Sequence, residues 1–392
     1  MTVETHIEQV DFQASGVANL TIAHATHDSY TSFLPALLPV LIEKFSMTNT
    51  AAGLLTMFMQ LPSLIQPFIG YFADRRNLRI LIVLAPIFTG AAMSLLSIAP
   101  SYGFLAFLLV LAGVSSASFH ATGPGLNSQL SGSKLGRGMS LWMVGGELGR
   151  VFGPLVVVSA VGILTMERMP WLMLGGVIVS IFLFGRLKDN KTNSVNDQDE
   201  IRWQSALQSM KGVMLPIAVI MFIRSMALAT LVTFLPTYLT RTGSSLWMAG
   251  ASLTIMESAG VAGAFLLGSL SDKFGRRRML MISFIATPIF MVLFIQSSGL
   301  MQFPLLILLG FFAISVVPVI MAIVLENAPE NRFLANGIYM AISFVLQAAA
   351  VLLVGILADQ VDLRFTMLLS AGVLPLALPF ILLLPRSKKR VV

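Results

Sequence analysis

The sequence predicts an all-α membrane protein of twelve transmembrane helices, arranged as two six-helix bundles. Three observations carry that prediction. Of 392 residues, 56% are hydrophobic and only 11% charged, against about 25% charged in an ordinary soluble domain, so the chain lacks the polar surface that a soluble fold requires. A membrane-spanning helix needs roughly 20 apolar residues, and runs of that length recur between charged or Gly/Pro/Asn clusters. One long polar stretch, 187–211, separates six such runs from six more. The pattern predicts spans at 17–43, 50–73, 79–99, 102–126, 138–162 and 168–186, then at 212–240, 247–271, 278–297, 302–325, 335–358 and 364–385. The organisation is then a tail over 1–16, a first bundle over 17–186, a linker over 187–211, a second bundle over 212–385 and a basic tail over 386–392.

The first span is too long, and its flank too poor in cations, for a cleaved signal peptide. Lysine and arginine set the orientation, because cytoplasmic loops carry an excess of them. With the N-terminus inside, nineteen of the 25 Lys and Arg fall on inner segments, four (Lys44, Arg168, Arg241, Arg364) on outer ones, and two (Arg150, Arg224) within spans. Both termini are therefore expected in the cytoplasm, in a multi-pass protein of the inner membrane, and the net charge of +7 is mostly a topology signal. The N-terminal tail (Glu4, Glu8, Asp11) is acidic, but acidic residues contribute little to this rule. No basic cluster sits on a soluble module, which excludes nucleic acid as a partner. The absence of cysteine excludes disulfides, iron–sulfur clusters and thiolate zinc sites. The linker, rich in Asn, Asp, Gln and Ser, reads as cytoplasmic, with a short surface helix around Trp203.

The second spans of the two halves end alike. Residues 70–79 read Gly-Tyr-Phe-Ala-Asp-Arg-Arg-Asn-Leu-Arg, and residues 268–278 read Gly-Ser-Leu-Ser-Asp-Lys-Phe-Gly-Arg-Arg-Arg. Both are Gly-x-x-x-Asp followed by cations, and a fainter copy, Gly355-Ile-Leu-Ala-Asp359, ends the eleventh span. Recurrence at equivalent positions marks an internal repeat. The pattern resembles the loop signature of the major facilitator superfamily, and the resemblance covers the whole chain. The second copy matches in full; in the first, Asn77 and Leu78 stand where a Gly-Arg pair is usual. The resemblance implies two pseudo-symmetric bundles around a central cavity, with rocking between halves. Gly70 and Gly268 are expected to allow close helix approach. The resemblance further implies an inner gate, in which Asp74 and Asp272 face a helix N-terminus of the opposite half. Arg75, Lys273, Arg276 and Arg277 would hold it shut by charge pairing. The alternative is that these loops only fix topology.

In the fifth span, Gly145, Gly149 and Gly153 recur at i, i+4 and i+8 and are followed by Pro154, a small-residue ridge suited to close helix packing. Gly149-x-x-x-Gly153-Pro154 resembles the family's antiporter signature, which implies export in exchange for protons; plain helix packing is the alternative. Within the superfamily the chain is similar to exporters of the fosmidomycin-resistance type. The resemblance lies in Ala23-His24-Ala25-Thr26-His27-Asp28, Ser115-Ser116-Ala117-Ser118-Phe119-His120 and Val144-Gly145-Gly146. Exporters of that type move drugs or small organic metabolites.

Ionisable groups at bilayer depth are costly and by default mark function. Asp28, Glu147, Arg150, Arg224 and Glu257 stand within spans, accompanied by His24, His27 and His120. His24 lies one turn from Asp28 on the same face, and Glu147 and Arg150 share a face. In the family, spans one, four, seven and ten line the cavity. This implies Asp28, His24, His120 and Arg224 in its wall, with Glu147, Arg150 and Glu257 within reach. Proton coupling is expected from Asp28, Glu147 and Glu257, with His24 as relay partner. Arg224 reads either as a charge pair with Asp28 or Glu257, or as a clamp for a substrate carboxylate, phosphonate or phosphate. His120, Arg150, Asp28, Tyr30 and Trp142 complete the expected substrate contacts, although a structural His120 bonded near Ser116 and Ser118 is equally consistent. Of the metal-capable side chains His24, His27, Asp28 and His120, only His24 and Asp28 share a face and no acidic cage surrounds them, so no metal ligand is assigned.

The expected function is a secondary transporter: a proton-coupled antiporter exporting a small amphiphilic or anionic drug or metabolite by alternating access. It would act as a monomer in the lipid bilayer, with protons and a small-molecule substrate as partners and no cofactor. The alternatives are a proton-linked importer or facilitator of an organic anion and, further off, metal-ion transport. No His-Glu-x-x-His, Gly-x-Ser-x-Gly or Gly-x-x-x-x-Gly-Lys motif is present, so an enzyme is not expected.

Overall fold

The structure, a computed structural model, describes residues 11–73, 79–187, 203–327 and 332–385, and among them is helical without a strand. The first half comprises α1 (Ala14–Thr31) and α2 (Phe33–Phe45), one interrupted span; α3 (Asn49–Gln60) and α4 (Gln66–Ala73), joined by a 3-10 turn; then α5 (Arg79–Leu95), α6 (Tyr102–Ser131), α7 (Leu135–Leu164) and α8 (Met173–Arg186). The second half repeats the scheme. It has α9 (Trp203–Leu228), a π-helical segment (Ala229–Thr233) and α10 (Leu235–Arg241); α11 (Leu246–Phe274); α12 (Arg276–Gln296); α13 (Gln302–Ala313) and α14 (Val317–Glu326); α15 (Arg332–Gln360); and α16 (Leu363–Val373) with α17 (Leu378–Leu383). These make twelve spans, six in each half.

Local chemistry explains the boundaries. Thr48, Ser101, Ser245 and Asp362 each accept a hydrogen bond from the backbone N–H three residues on, at 3.1, 3.2, 3.2 and 2.7 Å, and so cap the starts of α3, α6, α11 and α16. Gly132, at φ 46°, ends α6 five residues beyond the expected 126. The surface helix expected around Trp203 is instead continuous with the seventh span, as the first turns of α9. Exposed Phe68, Ile163, Ile178, Leu215, Phe265 and Leu300 give the helix surfaces the apolar character that a bilayer requires.

An even number of spans puts both ends of the described chain on one face, the termini face. Near it each half has a separate core: Val17, Leu20, Phe119 and Leu183 in the first, and Ile217, Leu280, Ile320 and Tyr339 in the second. Toward the opposite face a single core runs through both halves, joining Leu34, Leu38 and Leu55 to Leu231, Phe234, Leu253 and Val351. The halves therefore meet at the face opposite the termini, and the cleft between them opens toward the termini face.

Close contacts seal the far face. A Cβ on Gly53 of α3 would stand 3.0 Å from the Val351 carbonyl of α15, and one on Gly250 of α11 would stand 2.6 Å from Val158 of α7. Trp247 Nε1 donates to Ser159 Oγ at 3.1 Å. The Asp359 carboxylate accepts from Asn49 N (2.7 Å), Asn49 Nδ2 (2.8 Å), Thr50 N (2.8 Å) and Thr50 Oγ1 (2.5 Å).

The termini face shows a different pattern. Among the described residues, a Cβ on Gly70 or Gly268 would meet nothing within 4 Å, so the close helix approach expected at these glycines is not made there. Among the described residues, Arg276 pairs with Asp272 (2.6 Å) and Glu326 (2.8 Å), and Lys273 lies over the Phe274 ring, all within the second half. The reason is geometric: the halves are apart at this face. Asp74 and Arg75, the outer parts of both tails and residues 188–202 of the linker lie outside the described residues.

Candidate functional site

The glycine ridge of α7 brings α1 close. A Cβ on Gly145 would stand 2.5 Å from the Thr21 carbonyl. One on Gly149 would press on the Ala25 carbonyl and stand 2.9 Å from Asp28 Cβ, and one on Gly153, just before Pro154, would press on Ser29 and Ser32. The ridge is thus the packing surface for the segment that carries the histidines. The same segment is bent: the Thr31 and Ser32 hydroxyls both donate to the Asp28 carbonyl at 3.0 Å, competing with the helical ladder where α1 gives way to α2.

On this wall three groups converge. His24 Nε2 lies 3.3 Å from Asp28 Oδ2, and His120 Nε2, from α6, lies 3.4 Å from Asp28 Oδ1. The His24 and Asp28 side chains are buried, whereas His120 is 32% exposed and opens the cluster to the cleft. Gly146 makes room for it, since a Cβ there would stand 2.6 Å from His24 Nε2 and 3.1 Å from Asp28 Oδ2.

Hydrogen-bond partners fix the tautomers. His24 Nδ1 lies 2.8 Å from the Trp142 carbonyl, which only accepts, so Nδ1 carries the hydrogen and the neutral ring presents a lone pair at Nε2. Behind it Ser115 donates to the Ala85 carbonyl at 3.2 Å and Thr89 donates to Ser115 at 2.8 Å, so the Thr89 oxygen accepts from His27 Nδ1 at 3.2 Å. His27 stacks on Phe119 at 4.5 Å, and the Trp142 ring lies 4.0 Å from His24. These rings hold the imidazoles in place.

The second half contributes Arg224 and Glu257. Pro318 has no N–H to give the Ile314 carbonyl four residues earlier, which breaks span ten between α13 and α14. Arg224 takes up the freed carbonyls, donating from Nε to Ala313 at 3.2 Å and from Nη2 to Ile314 at 3.3 Å. The expected pairing of Arg224 with Asp28 or Glu257 is therefore replaced by a cation at a helix C-terminus, where the dipole favours it. Arg224 also lines a pocket with Ser283, Phe284, Thr287, Phe312 and Leu374. Glu257 is 8% exposed and, among the described residues, makes no hydrogen bond or ion pair. Its charged neighbours are Arg150 and Glu147 of α7, in the other half, and Arg224 in its own. Glu147 and Arg150 pair as their spacing predicts.

The chain matches the Major Facilitator Superfamily over residues 20–271 and 249–392. It belongs to that superfamily. It is 24% identical over 385 residues to the fosmidomycin resistance protein of Escherichia coli (strain K12), covering 92% of this chain and 91% of that one. It is also 24% identical over 381 residues to the MFS-type transporter YfnC of Bacillus subtilis (strain 168), covering 94% and 92%. A bacterial homologue of the human lysosomal transporter Spinster, in an inward-facing and unoccupied conformation, superposes with a TM-score of 0.79 at 15% identity, over 94% of this chain and 96% of that one. The nucleoside transporter NupG superposes at 0.73 and 14% identity, over 94% and 98%.

For this major facilitator transporter, two expected substrate contacts lie behind the cleft wall. Tyr30 donates to the Leu172 carbonyl at 2.5 Å and accepts from Gly176 N at 2.9 Å, so its hydroxyl is committed inside the first half. Trp142 is 2% exposed and backs His24. Ser118 bonds the Val114 carbonyl, leaving His120 to Asp28. Sequence reasoning missed Thr89 as the partner of His27, and Asp359, which showed only as the third Gly-x-x-x-Asp copy.

Proposed function

We propose that this major facilitator protein is a proton-coupled antiporter of the inner membrane that exports a small amphiphilic or anionic compound by alternating access. Both termini are placed in the cytoplasm on the strength of the lysine and arginine distribution. The cleft then opens inward, and the Asp359 contacts close the outer face. The observation that carries the reading is Glu257, a buried carboxylate without a bonded partner among the described residues, with Arg150, Glu147 and Arg224 as charged neighbours. Carboxylates at this depth serve proton relays, so Glu257 can carry a proton inward in exchange for the exported ligand. Arg224 and Arg150 supply guanidinium donors for such a ligand, and Phe284 and Phe312 beside Arg224 supply apolar contact. The likeness to a fosmidomycin resistance protein supports efflux of a small compound.

Proteoliposomes with an imposed pH gradient test the reading, with fosmidomycin as the first probe. Gradient-driven efflux is expected from the parent and lost in Glu257→Gln. Efflux unchanged in both Glu257→Gln and Glu147→Gln would refute the coupling. Net uptake under the same gradient, lost in Arg224→Ala, would assign the importer instead.

A further inference from the structure

The histidine wall is not used by coupling through Glu257. We propose that His24, Asp28 and His120 form a binding site for a divalent transition-metal cation of the zinc class, taken from the cleft. One ligand atom from each residue lies within 4.8 Å of the other two. His24 Nε2 stands 3.3 Å from Asp28 Oδ2 and His120 Nε2 3.4 Å from Asp28 Oδ1, one imidazole at each oxygen of the carboxylate, so small side-chain adjustments bring all three residues to zinc bonds of about 2.0–2.2 Å.

Donor orientation supplies a second, independent argument. Because His24 gives its Nδ1 hydrogen to the Trp142 carbonyl, its Nε2 lone pair faces an Asp28 oxygen that also only accepts. Neither His24 Nε2 nor Asp28 Oδ1 makes a hydrogen bond among the described residues. Two buried acceptors set face to face repel unless a proton or a metal cation lies between them, and a metal competes for that position. A histidine whose outer nitrogen is fixed by a backbone carbonyl is the arrangement that orients a metal-binding imidazole. Gly146 keeps that space free of a side chain.

The chemistry selects the ion. Two imidazoles and one carboxylate suit zinc, cobalt or nickel, whereas calcium and magnesium require more oxygen ligands than are present. The partly exposed His120 leaves a coordination position open to the cleft. Arg150 of the same half pairs with Glu147. A bound ion ties α1 to α6 and occupies one wall of the cleft.

Cobalt(II) chloride, added to purified tag-free protein in detergent, tests the site through the visible absorption of low-coordinate cobalt. One ion per chain is expected, displaced by zinc and not by magnesium. His120→Gln, at a partly exposed position, should weaken cobalt binding by roughly 100-fold without lowering metal-free thermal stability, and Asp28→Asn should abolish the band. His6→Ala, removing one of the 4 histidines, should leave it unchanged. Absence of the band, its survival in His120→Gln or an equal response to magnesium would overturn the proposal. Glu257→Gln is expected to bind cobalt as the parent does, so the metal site and the proton-coupling reading stand or fall separately.

Discussion

Asp359→Ala is expected to open the face at which the two halves meet. Asp359 lies near the end of α15, in the second half, and its carboxylate accepts four hydrogen bonds from Asn49 and Thr50, the first residues of α3 in the first half. The first N–H groups of a helix have no partner within it, and the dipole there favours an anion. Asp359 is therefore an additional cap for α3, supplied from the opposite half. Removal of a capping side chain costs ~0.5–2 kcal/mol. With four charge-assisted bonds discounted for solvent exposure, the upper end, ~2 kcal/mol, applies. The contact exists only while the face is closed, so the whole loss falls on the closed form. At about 1.4 kcal/mol per decade, that shifts the equilibrium roughly 30-fold toward opening. The chain contains no cysteine, so spin labels on Glu43→Cys and Val361→Cys, exposed positions at this face on opposite halves, give a background-free distance. The parent should show one short distance and Asp359→Ala an added longer population, with Asp359→Asn between them. Superimposable distributions for parent and Asp359→Ala would refute the cap.

Two further expectations concern glycines. Gly149→Ala puts a methyl against the Ala25 carbonyl and 2.9 Å from Asp28 Cβ, and should cost ~1–3 kcal/mol by overpacking, seen as a lower unfolding temperature in detergent. Gly162→Ala, where a Cβ meets nothing within 4 Å, should not lower it. Gly355→Leu should widen the labelled face, because a Cβ there already stands 2.7 Å from the Asn49 carbonyl. Gly268→Leu, with open space around it, should leave that distance unchanged. Equal effects from the two would contradict the assignment of Gly355, and not Gly268, to the closed interface.

Fold class was legible because membrane insertion constrains composition: twelve apolar runs and one polar linker leave few architectures. Pairs within one helix were legible for the same kind of reason, since i,i+3 and i,i+4 spacing places Glu147 beside Arg150 and His24 beside Asp28 before any tertiary contact is known. What failed was facing. A helix in a membrane bundle can be apolar toward both lipid and neighbour, so periodicity did not tell that Tyr30 and Trp142 turn into the first half while His120 turns to Asp28. The partners of Arg224 were hidden because they are main-chain atoms. Pro318 was the available signal, since a proline in a span frees the carbonyl four residues before it.

The three Gly-x-x-x-Asp copies show why a latch motif is readable while its state is not. In the copy at 355–359 the glycine admits the Asn49 carbonyl and the aspartate caps α3 of the other half. In the copy at 268–272 the glycine faces open space and the aspartate turns to Arg276 in its own half. The residues are alike; what differs is whether the opposite half is near. Under the proposed alternating access, closing the termini face would pull the Asp359 cap off α3 and bring an opposite half to Asp272. On that proposal, loss at one face would be offset by gain at the other, leaving two conformations within the few kcal/mol that ligand or proton binding can tip. Strengthening the Asp359 contact alone would favour the closed form, so its solvent-exposed setting suits the reversible closure proposed for this face.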